Sequence, residues 1–326
     1  MKSKWVCKIA AAVALTAITT AASAQDPVNV RFSWKMKGEY GPLYMAQEQG
    51  YYAKEKLAVR MGEGAGAQAA LGALLQGQED IVILPAIFAL TAIQKGMPVK
   101  LIALYHPKTP IGIISFPDKP VRTPKDLEGK SIAHSVGETG TSYLDAFCKI
   151  NSVDCSKVNK VQMNAQARMP QFMQHQVDLV SVYFNNDLPL IEQQTKQKFV
   201  LLDMTQFGFA VPGLAAVTSD AIIAAKPDML KRYLRATAMG IQDTKKNNDA
   251  ATKAMLKNWS GAPDAAIVAT QVKVTADAIP VPASGRMIGW IDEKTITDAL
   301  DLLKSAGEID TPKAPSAYYT NALLGS

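Results

Sequence analysis

Residues 30–52 read VRFSWKMKGEYGPLYMAQEQGYY, and the chain is organised around this stretch. Val30, Phe32 and Trp34 alternate with Arg31 and Ser33, the two-residue period of a half-buried strand. Gly38 and Gly41-Pro42 break the run, and from about Leu43 the pattern turns helical. A strand feeding a helix through a short loop is the unit of an open α/β sheet, and such sheets bind ligands at the loops beyond their strand ends. Trp34, Lys37, Tyr40 and Tyr44 fall on that corner. Two readings of them stay open here: contacts for a ligand, or core aromatics beside a solvated lysine.

The same alternation continues outward. Strands are expected at 57–61, 81–84, 99–105, 111–116, 131–134, 158–163, 179–183, 199–203 and 214–218, mostly with helices between them. That order argues for mostly parallel sheets covered by helices on both faces. Sliding the chain against itself by 98 residues brings Ala67-Gln68-Ala69 onto Ala165-Gln166-Ala167. The same shift brings Gln76, Gln78, Asp80 and Val82 onto Gln174, Gln176, Asp178 and Val180. Each window describes a helix, a polar turn ending in Asp and a buried strand. Two matched halves are therefore expected, with the binding place between them. Beyond residue 219 the chain reads as mostly helical, with helices expected over 229–245, from Asp264 and from Asp292.

Residues 1–24 carry Lys2, Lys4 and Lys8, an apolar run from Ile9, and Ala22-Ser23-Ala24 before Gln25. This is the three-part pattern of a secretory signal peptide cleaved after Ala24, which directs the mature chain to the periplasm. Cys7 precedes the apolar run, so no lipid anchor is expected. Removing three lysines lowers the net charge from +6 to +3. So small an excess, without a basic run, gives no argument for nucleic acid or a membrane surface. Roughly 300 mature residues exceed what one core usually serves, so two lobes are expected. Cys148 and Cys155 remain, and a disulfide or two free thiols are both open.

Gly64-Ala65-Gly66-Ala67-Gln68-Ala69 follows a strand and opens a helix, as a dinucleotide fingerprint does, but Asp80 sits on a turn rather than at the next strand end. What survives is a small-residue loop whose amides approach an anion. Gly137 to Ser142 offers the same device in the second half, or an ordinary helix cap. Glu138 there suits an amine or ring N–H rather than an anion. His106, His134 and His175 lack metal-ligand spacing, and no nucleophile motif is present, so no cofactor, metal or catalytic group is expected. Glu79 and Asp80 read as solvated turn carboxylates.

Several segments together carry a likeness: Gly38 to Tyr52, the Gly77 to Asp80 turn, Thr123 to Lys130, Val217-Thr218-Ser219, and Trp290 with Leu303 to Ile309. Through them the chain resembles the periplasmic solute-binding proteins of ABC importers for nitrate, sulfonates, taurine and thiamine-precursor pyrimidines. The resemblance implies a type 2 two-lobed α/β fold, lobe I being 25–113 plus 212–326 and lobe II 114–211, with crossings near 114–118 and 206–212. It implies a monomer that closes on one small, aromatic or heteroaromatic, anionic ligand and delivers it to an inner-membrane ABC permease. In the pyrimidine-binding branch the first strand ends Asp-Trp, followed by Pro-Asn. Here Trp34 matches, while Ser33 and Met36-Lys37 depart.

On this resemblance Trp34 and Tyr183 contact the ring, with Tyr40 and Ala86 beside it. Lys37, Gln68 and the Gly137, Glu138, Thr139, Gly140 and Thr141 loop hold polar groups, and Asn185 completes the site. An aliphatic sulfonate is the alternative ligand. The alternative activity is a pyrimidine synthase, but the cysteine-rich motif of the eukaryotic synthases is missing.

Overall fold

The apolar alternation of Val28, Val30 and Phe32 puts alternate side chains of the first strand into the core, while the continuous run Ile81 to Leu84 is buried on both faces. The computed structural model describes residues 25–283 and 285–325; the expected signal peptide, 1–24, lies outside the described residues. The strands are β1 (Asp26–Phe32), β2 (Leu57–Gly62), β3 (Ile81–Pro85), β4 (Val99–Leu104), β5 (Ile111–Ser115), β6 (Ser131–His134), β7 (Asn159–Gln162), β8 (Leu179–Tyr183), β9 (Val200–Asp203) and β10 (Leu214–Ser219). The helices that connect and cover them are α1 (Gly41–Glu48), α2 (Tyr51–Lys54), α3 (Ala67–Leu75), α4 (Ala86–Gln94), α5 (Thr139–Ser142), α6 (Leu144–Ile150) and α7 (Arg168–Met173). They continue with α8 (Asp187–Thr195), α9 (Asp220–Ala225), α10 (Pro227–Lys246), α11 (Asn248–Asn258), α12 (Ala265–Ala278) and α13 (Glu293–Ala306).

Two five-stranded sheets result, ordered β2-β1-β3-β10-β4 and β7-β6-β8-β5-β9. In each, one strand alone is reversed: β10 runs antiparallel to β3 and β4, and β5 to β8 and β9. The mostly parallel expectation therefore holds, and the two halves share one strand order. The 98-residue echo has a physical counterpart. The Asn29 amide donates to Asp80 Oδ2 at 2.9 Å and the Asp80 amide to the Asn29 carbonyl at 2.8 Å. In the other half the Ser131 amide donates to Asp178 Oδ2 at 2.9 Å and the Asp178 amide to the Ser131 carbonyl at 3.1 Å. Each Asp staples the start of a third strand to a first strand. Asp80 and Glu79 are thus buried rather than solvated, paired with Lys226 and Arg31.

Ile111 to Ser115 already pairs within the second sheet, so the chain changes sheets over 105–110, ahead of the 114–118 expected, and returns over 204–213. The two passages lie side by side. The Thr109 amide donates to the Val211 carbonyl at 2.7 Å, and the Gly213 amide to the His106 carbonyl at 2.8 Å. α10 lays Leu230, Tyr233, Leu234 and Ile241 on the first sheet's outer core, and α1 packs against it. α13 packs instead on α6 of the second half, through an apolar cluster that includes Phe147, Leu300 and Leu303. A disulfide joins Cys148 to Cys155, with Cα atoms 5.6 Å apart. Among the described residues no helix is long and apolar enough to cross a membrane.

Candidate functional site

The C-terminal ends of β1, β3 and β8 and the loop after β6 meet across the gap between the sheets, where α/β folds bind ligands. They enclose a cavity of about 50 Å³, room for a few waters or the ring of a small molecule. Ser33, Trp34, Lys37, Glu39, Tyr40, Pro85 and Leu214 line it from the first half. The second half supplies Gly137, Glu138, Thr139, Arg168, Ser181, Val182, Tyr183 and Asp187.

Backbone contacts set the aromatic wall. The Gly66 amide donates to the Ser33 carbonyl at 2.7 Å and the Gly64 amide to the Trp34 carbonyl at 3.1 Å, so the glycine loop braces Trp34. Those two amides are spent and do not cradle an anion. Tyr40 stacks on Phe32, centroids 3.9 Å apart. Burial, and then Glu39, push its phenol well above the usual tyrosine range, so it stays neutral. Tyr44 belongs to the first core, not to the cleft.

The charges are arranged as pairs. Lys37 Nζ stands 3.0 Å from Glu39 Oε2 and 4.1 Å from the centre of the Tyr183 ring, and both charged side chains are largely buried. Glu39 Oε1 faces His106 Nδ1 at 3.7 Å, while His106 Nε2 meets the Thr275 carbonyl at 3.2 Å. Burial holds that imidazole below its ordinary pKa, against the pull of Glu39. In the second half Arg168 Nη2 stands 3.5 Å from Glu138 Oε2. Burial alone would raise the Glu138 carboxyl, but Arg168 and the Thr141 contacts hold it below its ordinary value. Asp187 accepts the Tyr183 amide at 2.8 Å. Burial pushes its carboxyl up, against Lys37.

Two cations thus face three carboxylates. Lys37, read from the sequence as a cation for an anionic ligand, already has the Glu39 carboxylate as its partner.

Of the residues singled out from sequence, Trp34, Lys37, Tyr40, Gly137, Glu138, Thr139 and Tyr183 come together here. Gln68 does not; it is exposed on α3. Ala86 is buried behind Pro85, its amide bonded to the Gly213 carbonyl at 2.7 Å. The Gly140 and Thr141 amides are capped by the Glu138 carboxylate at 2.8 and 2.9 Å, so they offer a ligand nothing. Thr141 Oγ1 meets His134 Nδ1 at 2.8 Å, away from the cavity. Asn185 is held by Asn186, whose amide donates to it at 3.0 Å. The lining residues missed are Ser33, Glu39, Pro85, Arg168, Ser181, Val182, Asp187 and Leu214. Glu39 stood inside the quoted stretch two residues from Lys37, and Arg168 directly follows the repeated Ala165-Gln166-Ala167. Among the described residues no cluster of three or more His, Cys, Asp or Glu side chains suits a metal.

A family model described as NMT1/THI5 like matches residues 37–251. The riboflavin-binding protein RibY of Chloroflexus aurantiacus is 23% identical over 306 residues, 91% of this chain and 86% of that protein. The 4-amino-5-hydroxymethyl-2-methylpyrimidine phosphate synthase of Schizosaccharomyces pombe is 28% identical over 116 residues, 36% of this chain and 33% of that one. Among solved structures, the alkanesulfonate-binding protein SsuA of Xanthomonas axonopodis pv. citri, bound to MOPS, has the same fold. It superposes with a TM-score of 0.70 at 16% identity over 91% of this chain and 99% of that one.

Proposed function

The chain belongs to the NMT1/THI5-like family, and from that premise we propose that it is the periplasmic substrate-binding component of an ABC importer, closing on a small heteroaromatic molecule. The observation that carries this reading is the cavity between two matched sheets. It is walled by Trp34, Tyr40 and Tyr183, with its charges largely paired among themselves. Burying one ring removes about 150–250 Å² from water, worth roughly 4–6 kcal/mol, whereas micromolar binding takes about 8. Burial of the ring among Trp34, Tyr40 and Tyr183 therefore supplies most of the grip. Lys37, Thr139, Tyr183 and the Gly137 loop edge give polar contacts. Asp187, the carboxylate without a cation of its own, accepts an N–H of the ring.

The halves built on the two sheets act as lobes that move about 105–110 and 204–213 and dock on an inner-membrane permease as a monomer. Mass spectrometry of the small molecule that copurifies tests this, with tryptophan fluorescence titrated against pyrimidines, riboflavin, taurine and nitrate. A ring compound bound and recovered unaltered supports it. Tight binding of taurine alone overturns the ligand class.

The similarity to pyrimidine phosphate synthases favours a second reading, an enzyme that makes or modifies a pyrimidine. Conversion of a bound compound during incubation would decide for it.

A further inference from the structure

Arg168 is the buried charge of this cleft that the fold leaves partly unused. It opens α7, is 8% exposed and lines the cavity. Its Nη2 donates to the Ser181 carbonyl at 2.8 Å and the Ser181 hydroxyl at 2.7 Å, with Glu138 Oε2 at 3.5 Å. Its Nε is buried and, among the described residues, has no hydrogen-bond partner. Folded proteins seldom bury an N–H without an acceptor, and in the wall of a binding cleft the missing acceptor belongs to the guest. The surroundings are built closely around this side chain. A Cβ at Gly140 would lie 2.5 Å from Ser181 Cβ, so only glycine there lets the Glu138 loop close onto β8 and bring Ser181 and Glu138 to the same guanidinium.

We propose that Arg168 is a specificity-determining residue, donating its Nε–H to one uncharged acceptor on the ligand, a carbonyl oxygen. This deepens the reading of the cleft as the ligand site and rests on it. A guanidinium grips carboxylates and phosphates best with two parallel N–H groups. Here Nη2 is committed to Ser181, and the Glu138 carboxylate already stands beside it. An incoming anion would meet the Glu138 carboxylate, a like charge, beside the guanidinium. A carbonyl needs one donor and brings no charge. The side chain therefore selects among rings by where they carry an acceptor, and it disfavours acids.

The test is calorimetric titration with cytosine and with 4-aminopyrimidine, which share the amino-substituted ring and differ at the C2 carbonyl. Wild type is expected to prefer cytosine. Arg168→Lys keeps the charge without the fixed Nε–H, and the double variant Arg168→Met with Glu138→Gln removes both charges together; thermal melting shows whether each folds. In either folded variant cytosine binding is expected to weaken about 10- to 100-fold, with 4-aminopyrimidine within about threefold. Equal losses for both rings, or a preference retained in the folded variants, overturns the assignment of Arg168 while leaving the ligand class standing. A wild type that binds neither ring overturns the ligand class and this assignment with it.

Discussion

The Lys37 ammonium rests 4.1 Å above the centre of the Tyr183 ring, a cation from the first half seated on an aromatic from the second. Such a contact is worth about 0.5–2 kcal/mol and exists only while the halves are together. One face of Tyr183 is thereby covered, so on the proposed role this ring would meet a ligand by its edge or its other face. Tyr183→Leu is expected to raise the Kd of the bound ring compound about 3- to 30-fold, and Tyr183→Phe much less. An unchanged Kd for Tyr183→Leu by fluorescence titration would show that the contact plays no part in closure.

Trp34 carries the larger share. Trp34→Ala removes the stacking wall and is expected to cost about 2–3 kcal/mol of binding, a rise in Kd of roughly 30- to 150-fold. Trp34→Phe keeps a ring and is expected to stay within about tenfold. Calorimetry reads both, and equal affinities in Trp34→Ala and wild type would remove the tryptophan from the site.

Gly66 and Gly137 press together where the halves touch. A Cβ on Gly137 would lie 3.0 Å from the Ala67 nitrogen, and one on Gly66 would lie 3.0 Å from the Val136 carbonyl oxygen; both residues have positive φ. Alanine at either position props the gap open and strains the backbone. Small-angle scattering on Gly137→Ala is expected to show a larger radius of gyration in the presence of ligand than wild type, with weaker binding. A variant that contracts on ligand as wild type does would contradict this.

The Cys148–Cys155 bridge closes a short loop at the end of α6. Loop-closure entropy assigns it about 2 kcal/mol. Reduction, or replacing both cysteines by alanine, should lower the unfolding free energy by that amount, read as a lower denaturant midpoint at unchanged slope, and leave ligand affinity unchanged.

Asp178 links stability to acid. Burial pushes its carboxyl up, but the Ser131 amide and hydroxyl outweigh this, and the net pKa falls below the ordinary 3.8. The unfolded chain therefore takes up the proton first. The stabilisation is complete above about pH 4 and is lost as pH falls through the lower folded value. Urea midpoints measured between about pH 2 and 5 should drop steeply in wild type. They should fall more shallowly in Asp178→Asn, which starts from a lower plateau.

Much of this was legible in the primary sequence because it rests on local rules. Alternation located the strands, and the Ala-Gln-Ala and Asp repeats located two equivalent halves, which the shared strand order bears out. α11 escaped because Asn248 to Asn258 is polar on most faces and buries little beyond Ala251, Ala254 and Met255. Pairing across long separations was not legible at all. Nothing local indicates that Glu138 meets Arg168, and the apolar alternation that locates strands carries no signal of the Lys37–Glu39 pair two residues apart. The alternation that points to Trp34 and Tyr183 carries no information about which charges pair.

The two chain passages between the sheets run as a laced pair, Thr109 to Val211 and Gly213 to His106. A two-ply ribbon flexes across its flat face and stiffens against shear and torsion. On the proposed role, motion about it would follow one arc, as pages turn on a spine, and any guest that completes the arc would leave the same outer silhouette. On the proposed role, the permease would then have to recognise only a posture, while discrimination among compounds is finished before docking begins.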